Sequence, residues 1–233
     1  MAWAPDSTVD FHTCWKTYLG RPEADDSRHM AMNVLGNGLY NARHHEEALA
    51  VYEAELSVLR RFGAPEEELL VVQGNIANTY QVLGRHEDAL HLKRDVYSGC
   101  LKLNGEEDKA TLAAALRCAS TLSDLERFEE AKSLMRKNIP VARRVLGDDD
   151  DTTLRARWSY ARSLYRDTGA TLDDLREAVT TFEETARTAR RVLGSAHPTT
   201  TGIENGLQKA RTVLHASETR DMLAAAARTF ARG

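Results

Sequence analysis

The sequence predicts an all-α fold of stacked antiparallel helix hairpins, and three observations carry the prediction. Small and apolar residues recur at helical spacing, and no stretch alternates in the manner of a strand. An acidic pair followed by alanine returns at Glu46-Glu47-Ala48, Glu87-Asp88-Ala89 and Glu129-Glu130-Ala131, with alanine spacings of 41 and 42, and a fourth alanine of the series sits at Ala178 after the single acid Glu177. Gly63, Gly105, Gly147 and Gly194 follow these alanines by 15 or 16 residues, about the length of one helix, and each is expected to stop the second helix of a pair. Seven residues beyond each glycine stand Leu70, Leu112, Leu154 and Thr201, which open the next apolar face. Four markers in one register define an internal repeat.

The clearest hairpin is 75–90. Ala77, Tyr80 and Leu83 lie at helical spacing, Gly84-Arg85-His86 makes the turn, and Glu87-Asp88 opens a second helix whose first buried small residue is Ala89. In chain order, 1–27 reads as a capping helix over 6–19 and a linker. The first repeat, 28–63, holds helices 28–41 and 46–62, with Gly36 in the small-residue place of Ala77. The second, 67–105, holds 67–83 and 87–104. The third, 109–147, holds 109–125 and 129–146. The fourth, 151–194, holds 152–166 and 172–193; its turn is five residues longer, with Thr171 as N-cap and Asp174 three residues on. A partial fifth repeat and C-terminal cap, 197–233, is expected as a helix to about 214 and a second over 217–230. The whole is predicted as one domain of ten or eleven helices.

The charges keep the same register. Arg60-Arg61, Lys102, Arg143-Arg144 and Arg190-Arg191 fall in the last turns of second helices, where cations meet the negative end of the helix dipole. Acidic runs at 66–68, 106–108 and 148–151 fall where the next helices begin, so the four aspartates 148–151 read as caps and not as a metal site. No metal or cofactor is expected.

Composition excludes several function classes. With 31 basic and 35 acidic residues the net charge is −4, which gives no global attraction for nucleic acid or an acidic membrane. A helical array that reads RNA one base per repeat needs a regular polar pair, yet the occupants of that place differ: Asn37, Asn78, Ser120, Arg162. No apolar run reaches the roughly 20 residues of a membrane span, and the first residues lack a basic segment followed by an apolar one. A cytoplasmic protein is the expectation. Cys14, Cys100 and Cys118 include no C-x-x-C pair and read as reduced, buried residues. His44-His45 beside Glu46-Glu47 is the densest titratable cluster, but Arg85-His86-Glu87 recurs in the next turn, which indicates turn chemistry. No HExxH, phosphate loop or GxSxG occurs, so no enzyme is expected.

The order of small residue, aromatic or leucine three later, turn, acidic pair and alanine twelve after the small residue (Ala77, Tyr80, Glu87-Asp88, Ala89; Ala119, Leu122, Glu129-Glu130, Ala131) resembles the tetratricopeptide repeat. The repeat of about 42 residues and the connector Leu193-Gly194-Ser195-Ala196-His197-Pro198 resemble the kinesin light chain form. The resemblance implies a right-handed superhelical solenoid whose first helices line a concave groove. It also implies a non-enzymatic adaptor or scaffold that holds a peptide of a partner protein there.

By register, the groove residues are Asn33, Asn37 and Tyr40 in the first repeat and Asn75, Asn78 and Gln81 in the second. The third contributes Ala113, Arg117, Ser120 and Ser123, and the fourth Arg155, Trp158, Arg162, Tyr165 and Arg166. Asparagine both donates to and accepts from a peptide backbone, and arginine grips carboxylates through two parallel bonds. An acidic peptide with an aromatic anchor near Trp158 and Tyr165 is therefore expected. The Ala-rich segment 223–227 is a candidate for self-association.

Overall fold

The computed structural model describes residues 26–230 together with Lys16 and Gly20; the capping helix expected over 6–19 lies, but for Lys16, outside the described residues. Among the described residues there are nine helices and no strand: α1 (Asp26–Asn41), α2 (His45–Arg61), α3 (Glu66–Val82), α4 (His86–Asn104), α5 (Lys109–Asp124), α6 (Phe128–Leu146), α7 (Asp151–Arg166), α8 (Leu172–Leu193) and α9 (Pro198–Phe230). Expected and observed boundaries agree within about two residues through α8. The chain falls into two units, one ending at Leu103 and one beginning at Asn104.

In the first unit, Ala48, Leu49, Tyr52, Leu56 and Leu59 of α2 pack with Val72 and Ile76 of α3, and Leu92 of α4 joins them. Ala77 and Ala89 are wholly buried, as the repeat register requires of its small residues. In the second unit, Leu154 and Ala161 of α7, Phe182, Ala186 and Ala189 of α8, and Ile203 and Ala210 of α9 share one core. Each helix from α5 to α9 packs on the next, and α7 also packs on α5 and α9, so first helices lie side by side. Burying a side chain such as Phe182 contributes roughly 1.5–3 kcal/mol, which no single hairpin can gather alone.

Local chemistry places the helix ends. Asp108 accepts hydrogen bonds from the backbone N–H of Ala110 (2.8 Å) and Thr111 (3.2 Å) and so caps α5. Asp150 caps α7 through Thr152 N at 2.8 Å. Thr171 and Asp174 form a reciprocal capping box at the start of α8. The four aspartates each have a separate partner: Asp148 pairs with Arg143, Asp149 with Arg191, Asp150 with Lys109 and Asp151 with Arg155.

The turns within the first three hairpins share one geometry. Arg43, Gly84 and Glu126 stand at equivalent places with φ of 66°, 77° and 59°, and the next residue's N–H donates five residues back, to Leu39, Tyr80 and Leu122. Only one of the three is the glycine that this left-handed backbone favours.

The end of the chain departs from expectation. The fifth pair is not a hairpin, because α9 runs unbroken for 33 residues through the break expected near 214–217. No glycine or proline interrupts 207–230, and Thr219 Oγ1 donates to the His215 carbonyl in the helical manner. Forty-seven residues beyond Leu154, Trp158, Ala161 and Tyr165 stand Thr201, Asn205, Gln208 and Thr212, all exposed. A polar face of this kind suits an end helix that receives no further partner. Farther along α9, Met222 and Leu223 are exposed.

Candidate functional site

The first-helix residues singled out by register separate into those bound within their own hairpin or unit and those left open. In α1, Asn33 Nδ2 donates to Glu55 Oε1 at 3.4 Å, Asn37 Nδ2 to Asn33 Oδ1 at 2.8 Å, and Tyr52 OH to Asn37 Oδ1 at 2.7 Å. Asn33 and Asn37 thus serve a polar network between α1 and α2. Tyr40 is half-buried, edge-on to His45 at 5.1 Å. Glu55 is 3% exposed, and burial pushes its carboxyl up to about 7 against the bond from Asn33, which acts to lower it.

In α3, Asn75 and Asn78 are half-buried, and neither side-chain amide is paired among the described residues. Gln81 instead accepts from Lys93, a buried cation of α4. Helical geometry puts Asn75, Asn78 and Gln81 on the face of α3 opposite Ile76 and Tyr80, which point into the hairpin packing.

In α5, Arg117 is exposed and its guanidinium has no partner among the described residues. Ala113 and Ser120 are half-buried, whereas Ser123 is wholly buried and shares a 2.7 Å hydrogen bond with Ser163 of α7. In α7, Arg155 is exposed beside Asp151 at 3.5 Å, and Arg162 donates to Asp124 Oδ1 at 3.3 Å and to the Ser120 carbonyl at 3.4 Å. Arg166 lies over the Phe128 ring at 5.7 Å. Trp158 packs on α9, where a Cβ on Gly202 would come within 2.6 Å of its Cη2. Tyr165 tilts against Phe182 at 5.9 Å, and burial raises its hydroxyl pKa although Arg166 and Arg162 oppose the shift. Trp158 and Tyr165 are thus half-buried side chains packed against the α7–α8–α9 core, while Asn75, Asn78 and Arg117 have no side-chain partner among the described residues.

The buried charges were not legible from register. Lys132, 2% exposed, sits between Asp167 (2.8 Å) and Glu129 (2.5 Å), and Arg157 reaches Glu184 at 2.6 Å. Burial acts to lower the Lys132 pKa, but its two carboxylates outweigh it and hold the ammonium charged. The His44-His45 cluster belongs to the first turn: His44 precedes α2 and stands 3.6 Å from Glu47, and His45 packs on Tyr40.

Antiparallel helix pairs in a 42-residue register, with open polar groups on their first helices, define a helical-repeat protein. Residues 111–151 and 170–199 match the family model described as the tetratricopeptide repeat. These two segments match the repeat in sequence, and the fold of the chain is similar to that of kinesin light chain-like TPR structures. One such structure is the nearly identical TPR-like repeats of a candidate kinesin light chain from Podospora anserina, 19% identical with a TM-score of 0.68 over 88% of this chain and 96% of that one. BtubC (BKLC) from P. vanneervenii superposes with a TM-score of 0.60 at 12% identity, over 89% of this chain and 91% of that one. A Rap protein in complex with Competence and Sporulation Factor gives 0.53 at 15% identity, over 89% of this chain and 57% of the Rap chain. No curated protein matches the sequence significantly. No described helix is long and apolar enough to cross a membrane.

Proposed function

We propose that this chain is a non-enzymatic interaction scaffold whose first-helix faces hold acidic peptide segments of a partner protein. The observation that carries the reading is the contrast between closed and open polar groups. Most arginines in the second unit are paired, yet Arg117 stands exposed and open on α5, with Arg155 and Arg162 on the neighbouring first helix held only by weak contacts of 3.3–3.5 Å. Such guanidinium groups exchange a loose partner for a carboxylate at little cost. In the first unit, the open amides of Asn75 and Asn78 suit the N–H and C=O groups of an extended chain. The Rap protein complex, of the same fold, supports the capacity of such repeats to hold a partner.

The test is fluorescence anisotropy of a labelled Asp/Glu-rich peptide against the full chain, with its Asn/Gln counterpart as control. Arg117→Glu and Arg162→Glu are each expected to weaken binding tenfold or more while Arg117→Glu leaves the melting temperature unchanged. Equal affinity of wild type and both variants would sink the proposal.

A further inference from the structure

The first unit holds a second concavity, on the side of α3 turned away from Asn75 and Asn78. It is a cleft of about 500 Å³ between α2 and α4, floored by Leu56, Ile76 and Leu92 and rimmed by Glu53, Arg60, Tyr80 and Arg85. That volume lies within the range of small-ligand and short-peptide sites.

The rim is chemically uneven. Arg85 stacks over the Tyr80 ring at 4.1 Å and pairs with Asp88 at 2.9 Å, and Tyr80 OH donates to Glu53 at 3.2 Å. These groups are satisfied. Arg60 is not: it is exposed and has no partner among the described residues. The repeat register shows how unusual this is. Arg60, Arg143 and Arg190 each stand twelve residues after the buried alanine of their helix (Ala48, Ala131, Ala178), and the other two are closed by carboxylates, Asp148 at 2.6 Å and Glu204. Of these three, the arginine beside the cleft is the one that lacks its anion.

We propose that the cleft binds a monoanionic carboxylate attached to an aliphatic group, with the carboxylate on Arg60 and the aliphatic part on Leu56, Ile76 and Leu92. A dianionic phosphate is disfavoured, because Glu53 and Asp88 border the same small space. Glu53 is placed to accept an N–H from the ligand, which a peptide ending in an apolar residue supplies. A free aliphatic acid shares the carboxylate chemistry and lacks that N–H. This site is separate from the first-helix faces and does not depend on what they bind.

The experiment titrates acetyl-Ala-Ala-Leu with a free carboxylate into the isotopically labelled full chain and follows the backbone amides of Ser57 and Leu92 by NMR. Saturable shifts at both are expected, with binding at least tenfold weaker for the C-terminal amide of the same peptide and for Arg60→Gln. Arg117→Glu, in the other unit, is expected to leave the titration unchanged. Competition by hexanoate would identify a simple aliphatic acid as a sufficient ligand; its failure to compete would identify the peptide terminus. Absence of shifts at Ser57 and Leu92, or equal binding of the acid, the amide and the Arg60→Gln protein, overturns the proposal.

Discussion

The Tyr52 ring lies so close to Gly36 that a Cβ on residue 36 would stand 2.4 Å from its Cε1. Gly36 fills the place that Ala77 and Ala119 hold in the next hairpins, and the bulk of Tyr52 explains why alanine is not used there. Two opposing effects bear on Gly36→Ala. Helix propensity favours alanine by about 0.8–1 kcal/mol, whereas forcing a methyl into a packed site costs about 1–3 kcal/mol. Tyr52 is 1% exposed, so its ring cannot swing into solvent, and the packing cost wins.

Gly36→Ala is therefore expected to lower stability by about 1 kcal/mol. Gly74, also inside a helix, has open space around it, with nothing within 4 Å of the point where a Cβ would stand, so Gly74→Ala is expected to raise stability by about 0.5–1 kcal/mol. Urea unfolding of the two variants should move the midpoints in opposite directions; a shared direction would contradict the packing account.

Arg43 and Glu126 occupy the left-handed position that Gly84 holds in the second hairpin. A side chain there costs about 1 kcal/mol or more, partly offset by the entropy that glycine adds to the unfolded chain. Arg43→Gly and Glu126→Gly should each raise stability by about 0.5–1 kcal/mol, and Gly84→Ala should lower it. Thermal melting compares all three.

Glu55 predicts a pH dependence of stability. Its carboxyl is raised from 4.5 to about 7 in the fold, by burial that the Asn33 bond only partly opposes, so the folded protein binds this proton more tightly than the unfolded chain. The resulting stabilisation is complete below about pH 4.5 and is lost as pH rises through about 7. Between pH 5.5 and 8 the loss should be about 2 kcal/mol, at roughly 1.4 kcal/mol per pH unit over the coupled range. Asp167, lowered by its bond from Lys132, and Asp174, lowered by its bonds from Thr171, act in the opposite sense at more acid pH, outside this window. Glu55→Gln keeps an acceptor for Asn33 and removes the titration. Its stability measured by denaturant at both pH values should differ little, and an undiminished slope would count against Glu55.

Much of the candidate site was legible because helix faces follow from spacing alone. Asn75, Asn78 and Arg117 stand open where the 3.6-residue period put them, since nothing else in the sequence competes for them. Asn33, Asn37 and Trp158 show the limit. Glu55, Tyr52 and Gly202, which engage them, lie 22, 15 and 44 residues away, and no local pattern couples such pairs.

The hairpin register, the helix ends and the small residues at helix contacts follow from the amino-acid order alone. They are set by interactions within one or two turns: the helical period, charges at helix ends, and capping groups such as Asp108, Asp150 and the Thr171–Asp174 pair. Which charges are buried, as with Glu55, Lys132 and Arg157, was settled only by packing, as was the opening of Arg60 beside a cleft while its counterparts Arg143 and Arg190 are closed. The structure also shows α9 unbroken, in keeping with residues 207–230, which contain no breaker to turn the helix back. Burial and pairing depend on what neighbouring helices bring to a point in space, and that is a property of the folded repeats together.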